Sequence, residues 1–213
     1  MNFGSLVGLV GGVPYFDLPL LVQGSTEKRE AIRVQLSRWM RDGKVLGLRR
    51  GMYALADAYR RAPVAPASLA NQLYRPSCLS GLWALAYHDL IPERVVWLTS
   101  VTPRGPRRFE NRFGVFDYRN LKQEAFFGYQ CVRQRGHEFF VAEPEKALLD
   151  HWHLTPGEWT PERLAGMRYQ SWARLSPERL RDWAHRFRSP RLERAARRFL
   201  ELAAEDEKGT VVL

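Results

Sequence analysis

The run Thr26-Glu27-Lys28-Arg29-Glu30-Ala31-Ile32-Arg33-Val34-Gln35-Leu36-Ser37-Arg38-Trp39-Met40-Arg41-Asp42-Gly43, continued by Lys44-Val45-Leu46-Gly47-Leu48-Arg49-Arg50-Gly51-Met52-Tyr53-Ala54-Leu55, decides the fold class. In its first half, Ile32, Leu36, Trp39 and Met40 recur at helical spacing and form one apolar stripe. A helix is therefore expected from about Thr26 to Arg41, with Ser25 or Thr26 as its N-cap and Asp42-Gly43 as its stop. The opposite side and its flanks carry Glu27, Glu30, Arg33, Val34, Ser37, Arg38 and Arg41. The second half is two short apolar runs about a basic glycine turn, Arg49-Arg50-Gly51, which predicts a β-hairpin.

Upstream, Phe3, Leu6, Val7, Leu9 and Val10 suit a short first helix ended by Gly11-Gly12. Phe16 to Val22 suits a second, with Pro19 in its first turn, where a missing N–H is tolerated. Three short helices and a basic hairpin predict a winged helix-turn-helix over residues 1–60. Such a unit lays its last helix in the major groove of duplex DNA, because the groove is about 12 Å wide and admits one helix. Thr26, Lys28, Arg29, Arg33, Ser37, Arg38 and Arg41 are the expected contacts with groove edges and flanking phosphates. Lys44, Arg49 and Arg50 are the expected contacts of the hairpin with the backbone. The overall charge agrees: 33 Lys and Arg against 23 Asp and Glu give +10, which favours a polyanionic partner.

Downstream, Ala56 to Pro66 reads as a linker, and residues 61–213 as a mixed α/β domain ending in a helical bundle. The fold class expected for the whole chain is thus α+β. Helices are expected at 68–74, 80–88, 145–152, 161–167, 177–187 and 191–204, and strands at 95–101, 113–118 and 139–141. The segment Thr102-Pro103-Arg104-Gly105-Pro106-Arg107-Arg108 reads as a basic loop, and the tail from Glu205 to Leu213 as frayed. Residues 160–200 hold eleven arginines against four carboxylates, and Arg191, Arg194 and Arg198 share one helical face. That face is a candidate second basic surface, or simply a solvated one.

No apolar run approaches the roughly 20 residues needed to cross a bilayer, and the apolar start lacks a basic leader, so no membrane association and no signal peptide are expected. Cys78 and Cys131 make no disulfide framework, which points to reducing cytoplasm. No cofactor, metal or catalytic group is expected either. Asp117 with Glu143-Pro144-Glu145-Lys146 invites comparison with metal-dependent nucleases, but the spacing is wrong, and Pro144 reads better as a helix start. His151 and His153, two apart on a helix, point in nearly opposite directions and cannot share one ion.

Several segments together resemble the AbiEi family, the antitoxins of bacterial type IV abortive-infection toxin–antitoxin systems. They are Arg50-Gly51-Met52-Tyr53-Ala54-Leu55, the run Leu79-Ser80-Gly81-Leu82-Trp83-Ala84-Leu85-Ala86-Tyr87-His88-Asp89-Leu90, Thr99-Ser100-Val101-Thr102, and Val141-Ala142-Glu143-Pro144-Glu145-Lys146-Ala147-Leu148-Leu149-Asp150. The resemblance runs to about residue 155 and more loosely beyond. It implies a repressor that binds an operator with inverted repeats upstream of its own operon. It also implies that the C-terminal domain counteracts a nucleotidyltransferase-like toxin, with no stable direct complex required. Two copies are then expected at paired half-sites, either monomers that meet on DNA or a preformed pair. A stand-alone winged-helix regulator is the alternative function, and a DNA-binding nuclease a weaker one.

Overall fold

The computed structural model describes residues 1–210, with side chains through Glu205. Helix α1 (Phe3–Val10) starts at Asn2, whose side chain accepts the Ser5 amide at 2.8 Å. Strand β1 (Phe16–Asp17) and helix α2 (Leu18–Gln23) follow. Asp17 caps α2 by accepting the Leu20 amide at 3.0 Å. This corrects the expected helix over Phe16–Val22 at its start: Phe16 and Asp17 pair antiparallel with Tyr53 and Met52 instead.

Helix α3 (Arg29–Arg41) also begins later than expected. Ser25 Oγ accepts the Glu27 amide at 3.1 Å and so closes the preceding turn rather than capping the helix. The Glu27 carboxylate accepts from Gln35 Nε2 at 2.8 Å, which holds that turn against α3. Ile32, Leu36 and Trp39 face inward as the stripe predicts, while Met40 sits at its exposed edge. Strands β2 (Val45–Arg49) and β3 (Met52–Leu55) form the hairpin, turning through Gly51 at φ +79°, a conformation that favours glycine. The three strands lie in the order β1-β3-β2. Leu6, Val10, Phe16, Leu21, Ile32, Leu36 and Val45 are among the buried side chains of this first core.

The second unit is built on helix α4 (Pro66–Leu73), strand β4 (Cys78–Leu79), helix α5 (Gly81–Tyr87) and strands β5 (Leu98–Thr102), β6 (Arg107–Asn111), β7 (Gly114–Asn120), β8 (Tyr129–Gln134) and β9 (His137–Ala142). They form one sheet in the order β6-β7-β5-β4-β9-β8, parallel at β5/β7 and β4/β9 and antiparallel elsewhere. Helices α6 (Pro144–Leu154), α7 (Pro161–Ala165), α8 (Pro177–Arg186) and α9 (Pro190–Thr210) close the chain. The fold is α+β. Helix α9 continues through residues expected to fray, and the last part of that expected tail, 211–213, lies outside the described residues.

Trp152, Trp159, Leu164, Leu180, Leu192 and Phe199 bring the four C-terminal helices into the same core as the sheet. Trp152 Nε1 donates to the Tyr169 hydroxyl at 3.1 Å, and Trp159 Nε1 to the Trp152 carbonyl at 3.2 Å, so both buried indoles are satisfied. The two units touch through the hairpin. Leu48, Met52 and Ala54 belong to the larger core, and Asn111 Nδ2 donates to the Leu48 carbonyl at 3.1 Å.

Candidate nucleic-acid interface

Because Ile32, Leu36 and Trp39 fix the rotation of α3, its solvent side is determined. Arg33, Val34, Ser37, Arg38 and Arg41 all lie there, exposed, with Arg29 exposed in the first turn. Val34, 64% exposed, places one apolar side chain among these cations. Among the described residues, no carboxylate pairs with Arg29, Arg33, Arg38 or Arg41. Their five-donor forks therefore face solvent and suit phosphate and guanine edges.

The remaining expected contacts separate into three groups. Thr26 and Lys28 stand exposed in the turn ahead of α3, not on the helix, because α3 starts at Arg29. Arg49 and Arg50 sit at the hairpin tip, where Arg49 Nη1 donates to the Arg50 carbonyl at 3.2 Å. Lys44 is not with them. It precedes β2 at the open end of the hairpin and is half-buried, its ammonium 5.2 Å from the Phe3 ring centre. A cation on an aromatic face at that site serves packing of α1 on the hairpin.

Arg191, Arg194 and Arg198 each make contacts within the chain. Arg191 donates to the carbonyls of His153, Thr155 and Gly157 at 2.8–3.1 Å. Arg194 and Arg198 both engage Glu158, at 2.5 and 3.3 Å, and Arg198 also donates to the Trp159 carbonyl at 2.8 Å. These arginines hold the loop after α6 against α9, and Glu158 is held below its usual carboxylate range chiefly by Arg194.

The acidic residues near α6 are likewise engaged internally. Glu143 pairs with Arg179, Glu145 accepts the Ser176 amide at 2.6 Å, and Lys146 pairs with Asp150 in the core. No group of three or more His, Cys, Asp or Glu among the described residues is arranged to hold a metal ion. Nor is any described helix long and apolar enough to cross a membrane.

Sequence reading passed over one basic cluster. Arg75, Arg104 and Arg107 converge with Arg49 and Arg50 around a cleft between the hairpin and the second sheet. The signal was present in the two basic Pro-containing segments, Arg75-Pro76 and Arg104-Gly105-Pro106-Arg107-Arg108, but only the tertiary fold places them together. No family model and no curated protein matches this chain.

Proposed function

We propose that the chain is a sequence-specific, duplex-DNA-binding transcriptional repressor whose residues 1–60 act as a winged helix-turn-helix. The observation that carries this reading is the solvent face of α3, which presents Arg33, Ser37, Arg38 and Arg41 around the exposed Val34, all without internal acidic partners among the described residues. Val34 would lie against a thymine methyl, and the arginines against guanine edges and phosphates. The hairpin tip, with Arg49 and Arg50, would approach the neighbouring backbone.

The resemblance to AbiEi antitoxins extends the proposal to autoregulation. Two copies would occupy inverted repeats in the chain's own operator and occlude the promoter. The second unit would then act against a nucleotidyltransferase-like toxin with no need of a stable complex. A cytoplasmic location follows from this role.

The test is titration of the full chain against duplex from its own upstream region, with shuffled duplex as competitor, at two salt concentrations. Preference for the native duplex by roughly a thousandfold or more is expected for a specific site. Equal, salt-sensitive binding to both would reduce the protein to a non-specific cation and end the repressor reading.

A further inference from the structure

We propose that the cleft between the hairpin and the second sheet binds a nucleoside triphosphate, and that this ligand competes with DNA for Arg49 and Arg50. The cleft encloses about 700 Å³. That volume falls within the roughly 300–1,000 Å³ of small-molecule sites, and the cleft lies between two structural units, where such sites concentrate.

Charge defines the ligand class. Arg49, Arg50, Arg75, Arg104 and Arg107 border the cleft, against a single carboxylate, Asp17, which is already engaged in capping α2. Among the described residues none of these five guanidiniums has an ion-pair partner. Five like charges around one concavity repel one another, and a polyanion relieves that repulsion. Planar guanidinium forks match phosphate oxygens two at a time, so a triphosphate chain uses more of them than a carboxylate or a single phosphate can.

The wall behind the cations points to a base. Tyr74 and Phe109 pack at 6.3 Å between ring centres, both backed by the buried Tyr118, and Tyr15 of the first unit also lines the cleft. A nucleobase lies well against such aromatic surface, whatever its sequence identity.

The site is also held ready. The Arg104 guanidinium lies 4.4 Å from the Tyr74 ring centre and donates to the Arg75 carbonyl at 2.9 Å. The Tyr74 hydroxyl donates to the Gly105 carbonyl at 3.2 Å, and Asn120 Nδ2 to the Arg104 carbonyl at 2.8 Å. A loop fixed at three points loses little entropy on binding.

The competition follows from shared residues, and this half rests on the DNA-binding reading above; the binding half does not. Phosphates held in the cleft by Arg49 and Arg50 withdraw the hairpin tip from the DNA backbone. Nucleotide would then act as a signal that loosens the repressor.

The experiment uses the full chain and a fluorescent ATP analogue, displaced by ATP, GTP or inorganic triphosphate at constant ionic strength. Saturable one-to-one binding is expected, with ATP or GTP displacing the probe better than inorganic triphosphate. The exposed pair Arg75→Ala and Arg107→Ala should lower affinity by roughly tenfold or more, the scale of lost charged hydrogen bonds, with the unfolding midpoint unchanged. Phe109→Leu, which keeps an apolar packing group, should narrow the preference for nucleotide over inorganic triphosphate. Absence of saturable binding, or undiminished binding by the double variant, would overturn the site; equal displacement by inorganic triphosphate would overturn the nucleoside assignment. Saturating ATP should also weaken operator binding by the parent chain. Operator affinity indifferent to bound nucleotide would overturn the competition. Nucleotide binding in a chain that never prefers its operator would leave the cleft standing and end the repressor reading.

Discussion

His151 and His153 stand two positions apart on α6 and face different neighbours, Trp159 at 5.2 Å and Phe187 at 5.5 Å between ring centres. Their divergence was legible from helical spacing; the environment of each was not. Burial, with the Arg163 charge adding to it, pushes the His151 imidazole down from 6.5 to about 4, and its buried Nε2 has no hydrogen-bond partner. The unfolded chain therefore holds the extra proton between about pH 4 and 6.5, so stability rises with pH across that window and is lost on acidification. At roughly 1.4 kcal/mol per pKa unit the loss approaches ~3 kcal/mol by pH 4. His151→Leu should flatten this part of the urea midpoint against pH; an unchanged slope would mean that other groups govern it. Lys146 and Asp150 pose a sharper case, both fully buried, with Ser80 Oγ donating to Asp150 at 2.6 Å. Burial pushes the Asp150 carboxyl up, while Lys146 and Ser80 pull it back toward the charged form. Lys146→Met should destabilise the chain by about 3–5 kcal/mol, because one buried charge is left alone, and adding Asp150→Leu should recover much of that loss in denaturant titrations. Sequence places the pair at i, i+4 but cannot announce its burial, since these residue types are usually exposed.

At the scale of elements, the amphipathic helices were the readable part. The stripe Ile32, Leu36, Trp39 fixed α3 and its outward face, and Pro144, Pro161 and Pro177 marked the starts of α6, α7 and α8. Strand β6 escaped because its residues Arg107, Arg108 and Glu110 are exposed and only Phe109 and Asn111 are half-buried, one of them polar, leaving no apolar alternation to read. The Arg191, Arg194 and Arg198 face was legible as a face, but not its partners, because Glu158 lies 36 residues from Arg194 in sequence. Two predictions separate the two basic elements. Arg38→Ala on α3 should cost about 1–3 kcal/mol of operator binding, the worth of a bidentate base contact, with little change in thermal stability. Replacing Arg194 and Arg198 by Ala should do the reverse: a drop in melting temperature with specific DNA affinity retained. Loss of operator affinity in that double variant, without loss of stability, would support the second basic surface.

For the molecule as a whole, the segment 56–66 reads from its Arg and Pro content as a linker, yet the hairpin just before it faces two ways. Val45 and Leu55 point into the first core, whereas Leu48, Met52 and Ala54 are buried in the core of the second unit. Strand alternation predicts two faces for a hairpin, but which protein surface covers the second is a tertiary fact that no local pattern encodes. Asn111 bonding the Leu48 carbonyl, and Arg112 reaching Asp57 at 3.2 Å, add polar contacts at the rim of that junction. Shared apolar burial couples the stabilities of the two units, because unfolding either one exposes Leu48, Met52 and Ala54 to water at a cost of roughly 25 cal/mol per Å² of apolar surface. The full chain should therefore lose helical circular dichroism and tryptophan fluorescence in one coincident denaturant transition. Trp39 reports on the first core, Trp152 and Trp159 on the second, so the probe set covers both. Met52→Ala, which removes buried volume at the junction, should shift the whole transition by about 2–5 kcal/mol. Two separated transitions, with only the earlier one moved by Met52→Ala, would instead show units that fold independently and meet through a weak contact.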